Sequence, residues 1–319
     1  MLGNVQGWFI SAVIALAGGF LLWTGSRPPS VSQPSGVFPN LLGKIALPVD
    51  PKTVSPVPMS GACDAGEKYR AAIDEYLKNA RQYEKWHADA KSAMAAKPKA
   101  VELVVEAADC GRMNLFARAP AEVVTYDYEP PQMEAIEKLG AMAQQRGMLH
   151  LRAGDADEAR RYLGAAFALG YHLYTERVAW REFTAGVNLM TSASKYLAQL
   201  ETDAGRPEKA RAIQAFADAA DNYKLDQLKL YSVINTTDGP TLARHGGDIF
   251  ALARGSPEPM WRSGAILSLG RMKFNTPNKG DQLAASRELQ GWVADADPVA
   301  RAAAAAASKL TIEQYRMLR

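Results

Sequence analysis

The chain has 319 residues, with 37 Lys and Arg against 34 Asp and Glu, a formal net charge of +3 and two cysteines. A balance this close to neutral, with basic and acidic residues interleaved, excludes a nucleic-acid footprint and a polybasic membrane patch. Two cysteines exclude a disulfide-dense scaffold and allow one bridge at most.

Taken in chain order, the first element is apolar. Residues 7–25 read GWFISAVIALAGGFLLWTG, and the first charged side chain is Arg27. This is about the length that spans a bilayer as a helix. Trp8 and Trp23 stand near its two ends, about 22 Å apart at helical rise, where an amphipathic ring prefers the headgroup level. Residues 1–26 are therefore expected to anchor the chain in a membrane through one helix. The competing reading is a cleaved secretory signal, because Ala15-Leu16-Ala17 has the small-x-small form. Against it stand the lack of Lys or Arg in the opening MLGNVQ and the apolar run that continues through Trp23. Arg27 and Lys44 favour a cytoplasmic body, whereas the export-like start and the spacer that follows favour an outside one. The expectation is a single-pass protein with an extracytoplasmic, periplasmic body.

Residues 27–62 are rich in Pro, Ser and Val, with prolines at 28, 29, 34, 39, 48, 51, 56 and 58. Proline removes backbone donors and restricts its predecessor, so no regular helix is expected there. Two readings stay open: an extended spacer holding the body several tens of ångströms from the membrane at ~3.1 Å per residue, or a segment packed along the body through Val37, Phe38, Leu41, Leu42, Ile45 and Leu47.

From residue 63 onward the pattern is helical. Asp64 with Glu67 forms a capping-box start, and Ala65, Tyr69, Ala72, Ile73, Tyr76, Leu77, Ala80, Tyr83 and Trp86 recur at helical spacing. Further starts are marked by Glu129-Pro130, Asp155 with Glu158, Ser256-Pro257, Asp297-Pro298 and Thr311 with Gln314. No long run alternates with period two. The expected fold class is all-α, with about ten helices after the anchor arranged as an α-solenoid-like array of hairpins. A helical domain is expected over 63–235 and a second over 236–319.

Cys63 falls just before a helix start and Cys110 near the end of the next helix, so an antiparallel hairpin could join them. Such a bridge would close a loop of roughly 48 residues and contribute about 4 kcal/mol on the chain-entropy model. Two ordinary buried thiols are the alternative. Tyr126 and Tyr128, in the loop YDYEPP, are candidate partner contacts, since aromatics on a loop can anchor another protein. Packing over the helix they introduce is the other reading.

Two internal repeats follow. Residues 153–160 (AGDADEAR) and 204–211 (AGRPEKAR) carry one phrase, 51 residues apart. Each occupies a turn and the start of the next helix. With small or apolar residues at Gly147, Ala159, Leu163 and Ala166, this resembles the tetratricopeptide (TPR) repeat over about 130–235. That family's period is 34 residues, so either the helices here are longer or one more helix intervenes. Residues 257–265 (PEPMWRSGA) and 297–304 (DPVARAAA) align with a 39-residue offset and resemble the HEAT repeat over about 240–310. An irregular helical bundle is the competing arrangement. Both families imply paired helices that stack into an extended body whose usual employment is binding proteins.

No catalytic, cofactor-binding or metal-ligating set is expected. His87, His150, His172 and His245 are scattered, and Glu102, Glu106 and Asp109 read as a solvated acidic flank. Neither a phosphate-binding glycine loop nor a GxSxG turn is present. The expectation is a membrane-anchored helical-repeat scaffold, assembly factor or accessory subunit that binds protein partners. It takes no cofactor, no nucleic acid and no identified small-molecule substrate. An anchored or exported all-α enzyme with an unrecognised site is the alternative.

Overall fold

The computed structural model describes residues 30–35, 47–89, 92, 96, 98–115, 130, 132–177, 179–311 and 313. The stretch 7–25 with Trp8 and Trp23, and the loop with Tyr126 and Tyr128, lie outside them. No helix among the described residues is long and apolar enough to cross a membrane.

The described chain is predominantly helical, with eleven α-helices. A short strand β1 (Gly61–Asp64) leads into α1 (Ala65–Lys78), α2 (Ala80–Ala88) and α3 (Lys99–Ala107), and strand β2 (Cys110–Arg112) follows. Then come α4 (Met133–Arg152), α5 (Ala156–Thr175), α6 (Trp180–Asp203) and α7 (Pro207–Ile234). The C-terminal group is α8 (Gly239–Gly255), α9 (Pro259–Asn275), α10 (Lys279–Trp292) and α11 (Pro298–Lys309).

Local chemistry sets most of these boundaries. Asp64, Asp155, Asp238, Asn278 and Asp297 each accept a first-turn backbone N–H, satisfying donors that a helix start leaves free. Proline opens α7, α9 and α11, where its missing donor costs nothing. Ala179 cannot cap α6 with a side chain. There the buried Glu182 carboxylate accepts the Ala179 N–H at 2.8 Å instead. The start expected at Ser256-Pro257 falls two residues later, at Pro259, with the Ser256 hydroxyl 3.3 Å from the Glu258 N–H it accepts.

The two like phrases adopt one turn. Gly154 and Gly205 have φ of +79° and +72°, a conformation that glycine enters without Cβ strain. Asp155 N–H bonds to the His150 carbonyl and Arg206 N–H to the Glu201 carbonyl, while Gly154 and Gly205 donate to Leu151 and Thr202. These are the crossed bonds of a glycine helix stop. Only α5 and α6 lie between the two turns. The 51-residue spacing therefore comes from helices of 20 and 24 residues, without an added helix.

Helices α4 to α7 pack successively against one another, α3 lies against α1, α4 and α5, and α9 contacts α8, α10 and α11. Short turns force sequence neighbours to run antiparallel. The centre is α5, where Tyr162 through Gly170 are all buried. Glycines set its approach distances. A Cβ on Gly170 would lie 2.7 Å from the Gly186 carbonyl, and one on Gly186 would lie 2.8 Å from the Gly170 carbonyl.

The proline-rich region, where described, packs along the body. Leu47 N–H donates to the Tyr174 hydroxyl at 2.8 Å, a 3₁₀ turn spans Pro51–Thr53, and Pro56 and Val57 sit against Gly164 of α5. Met59, fully buried, has a φ of +49° as the chain turns into β1. β1 pairs with β2 in parallel, with one extra residue on β1 between the pairs Gly61–Cys110 and Asp64–Arg112. Cys63 and Cys110 are joined as a disulfide across this ribbon, whose parallel strands are connected through α1, α2 and α3.

The α5–α6 contact yields a direct comparison. Gly186→Ala should destabilise the protein by about 1–3 kcal/mol, because the added methyl meets backbone that can only move with its helix. Gly255→Ala, at a helix end with nothing within 4 Å, should be neutral or stabilising by up to about 1 kcal/mol. Urea unfolding of both variants measures the difference, and equal midpoints would contradict the packing account.

Candidate functional site: a groove on the C-terminal helices

The most elaborated polar site lies where α8 meets α10. Residues 30–35, SVSQPS, cross this face as an extended strap. Ser32 donates its N–H to Asp281 Oδ1 and its hydroxyl to Asp281 Oδ2, each at 2.7 Å. Ser35 repeats the arrangement on Asp248, with its N–H 3.1 Å from Oδ1 and its hydroxyl on Oδ2. Asn278 Nδ2 donates to Ser32 Oγ at 3.1 Å. Asp248 and Asp281 are 2 % and 0 % exposed. Buried carboxylates are tolerated only with strong donors, and here the strap supplies them in pairs.

The helix beneath is shaped for this. Gly246 and Gly247 are consecutive in the middle of α8, where each costs roughly 1 kcal/mol of helix propensity relative to alanine. A Cβ on Gly247 would run into the Gln33 carbonyl, and one on Gly246 would come within 2.8 Å of Asp281 Oδ2. Asp281 stands in the first turn of α10, where helix amide dipoles favour negative charge. His245 Nδ1 lies 3.6 Å from Asp248 Oδ2.

A second feature joins the two helical groups. Arg177, before α6, pairs at 2.6 Å with Glu258, the residue preceding α9, and both side chains are about nine-tenths buried. Burial pushes the Glu258 carboxyl up, and the Arg177 guanidinium draws it back only in part. Arg177 also lies 4.2 Å from the Tyr174 ring centre. Beside it Trp180 stacks on Tyr231 at 4.3 Å and meets Trp261 at 5.5 Å. Trp261 Nε1 donates to the buried Gln227 at 2.8 Å. One unit on, Arg262 repeats the Arg177–Glu258 pairing with Asp297, the residue preceding α11, at 2.8 Å.

The histidines and acids of the sequence reading are dispersed. His172 Nε2 meets the Cys110 carbonyl at 2.7 Å and its Nδ1 meets the Tyr69 hydroxyl at 2.8 Å. The carbonyl can only accept, so Nε2 carries the proton and Nδ1 accepts from Tyr69. His150 stacks on Tyr162, and His87 bonds Gln145. Burial would raise the Glu102 carboxyl. Hydrogen bonds from Tyr162 and Arg161, with the nearby guanidinium charges, outweigh it and hold the group below the ordinary range. Glu106 pairs with Lys68 at 3.0 Å, and Asp109 takes the Gly61 N–H on its backbone carbonyl. Among the described residues no group of His, Cys, Asp or Glu is placed to hold a metal ion.

Leu151, Gly154 and Ala156 from the first like turn and Leu200, Asp203 and Ala204 from the second line one depression of about 180 Å³. Neither Asp248 nor Asp281 was anticipated. Their signal was the run Gly246-Gly247-Asp248 inside a helix, an expensive choice unless a backbone must come close. Comparison with protein-family models, curated proteins and solved structures finds no match.

Two expectations follow. Burial holds His172 below its ordinary value of 6.5 despite the Cys110 carbonyl and the Asp64 charge. The unfolded chain therefore takes up the proton first, so this contribution is complete above about pH 6.5 and is lost as pH falls through the folded value. The melting temperature should drop more between about pH 7 and about pH 5 in the wild type than in His172→Gln, and parallel profiles would contradict this.

At the joint, Arg177→Met should cost about 3 kcal/mol because it strands a buried acid, with part of the loss recovered in the double variant with Glu258→Gln. Removing Arg181, whose pair with Glu137 is about one-third exposed, should cost under about 1 kcal/mol. Urea unfolding at neutral pH measures both.

Proposed function

We propose that the chain is a membrane-tethered helical-repeat scaffold, an accessory or assembly subunit that holds protein partners outside the cytoplasm. On this reading α4 to α7 form TPR-like hairpins, and α8 to α11 form HEAT-like pairs. The observation that carries it is the α8–α10 groove, in which two carboxylates and two glycines hold an extended segment through its backbone and hydroxyls. That is a peptide-binding mode, in which the occupant is held through its main chain and short polar side chains. The paired packing of the helices and the shared turn geometry of the two like phrases support the repeat assignment. Leu225 and Leu228, one turn apart on α7 and about half exposed, offer further apolar contact area.

The tether rests on the sequence of residues 7–25 alone. It implies that Trp8 and Trp23 sit at the two interfaces and that the disulfide forms in an oxidising compartment, where such bridges persist.

The test is affinity capture of the full chain from detergent-solubilised membranes, alongside fractionation of the same cells. The expected result is membrane-fraction protein carrying at least one stoichiometric protein partner. Recovery from the soluble fraction would remove the tether. Absence of any stoichiometric partner after chemical cross-linking would remove the scaffold role.

A further inference from the structure

The geometry points to the α8–α10 groove as a recognition site for extended peptides with serine or threonine at positions i and i+3, of which residues 30–35 are the internal, displaceable occupant. This rests on the scaffold reading and names the ligand chemistry of that same site. The pattern comes from the donors that the groove requires. Each buried carboxylate is met by one amide N–H and one hydroxyl of a single residue, first on Asp281 and then on Asp248. Three extended residues advance about 10 Å, so the two acids read hydroxyl-bearing residues at fixed spacing. Gln33 and Pro34 between them are exposed, and the Gln33 carbonyl passes over Gly247 where no side chain fits. The backbone of the occupant is read closely at that point, and its intervening side chains are not.

The site also defines what it rejects. A carboxylate or phosphorylated hydroxyl at either position would face a buried carboxylate at hydrogen-bond distance, and like charges there are strongly unfavourable. The strap is covalently part of the chain, and exchange for a partner's segment breaks its described contacts, the Ser32 and Ser35 bonds to the two acids and the packing of Val31 against the core. The linkage gives the strap an effective concentration on the order of millimolar, so an outside peptide competes at a disadvantage until the strap is released.

The test uses the full chain and a fluorescein-labelled peptide of residues 28–37, PPSVSQPSGV. Ser32→Glu with Ser35→Glu vacates the groove by charge repulsion. In fluorescence anisotropy the peptide should bind this variant at least about tenfold more tightly than the wild type, in which the site is filled. Adding Gly247→Val should abolish that binding while circular dichroism stays unchanged. No binding to the vacated protein, or equal binding with and without Gly247→Val, would overturn the proposal.

A second measurement needs no variant. Amide hydrogen exchange at Ser32 and Ser35 in the wild type should accelerate when unlabelled peptide is added in excess, and unchanged exchange overturns the proposal as well. A natural partner captured equally by wild type and Gly247→Val would sink this site while leaving the scaffold reading intact.

Discussion

The architecture depends on one helix whose middle, from Tyr162 to Gly170, has no free side. α5 is met by α3, α4 and α6 and by the segment that carries Pro56 and Val57. A helix in that position cannot use large residues on every face. Its sequence accordingly concentrates glycine and alanine, at Gly164, Ala165, Ala166, Ala168 and Gly170, between a few large anchors such as Tyr162 and Phe167. The small residues set how closely the neighbours approach, and the anchors fill the space left between them. The disulfide-linked ribbon is fastened to the same helix, since His172 receives Tyr69 from α1 and donates to the Cys110 carbonyl. Parts of the chain remote in sequence thus take their positions from a single axis.

From α5 the order is passed on by a recurring device. An arginine of one unit pairs with the acid that precedes a helix of the next, first Arg177 with Glu258 and then Arg262 with Asp297. The two joints differ in environment. The first is almost dry and sits among Tyr174, Trp180, Tyr231 and Trp261. The second is about a quarter exposed, because less of the array covers it. Removing solvent strengthens a paired charge and also raises the penalty if its partner is lost. The inner joint is therefore the stiffer and the less forgiving of the two.

Legibility in the sequence followed the range of the interactions. Helix character, the caps at Asp64, Asp155 and Asp297, and the two like turns were readable because each is settled within a few residues. The 51-residue spacing was readable too, although only the structure shows that longer helices account for it. The β1–β2 ribbon was not, since strands of four and three residues carry no alternation and their pairing is made by partners 47 positions apart. Nor was the groove. Asp248 and Asp281 look like ordinary surface acids on their own helices, and donors that satisfy them come from a segment more than 200 residues earlier. The start of α9 was missed by two residues because a serine hydroxyl competed locally with the proline signal.

The strap has a geometric consequence for any bilayer in which residues 7–25 sit. From Gly25 to Ser30 the chain can reach about 18 Å at most, and Ser32 is already fastened to α10. A long leash would let the whole array swing clear of the lipid. Here the last helices of the chain, to which the strap is fastened, would be drawn to the headgroups first. The far end of the polypeptide would then be its membrane-proximal face, an inversion of the order in which the residues are written.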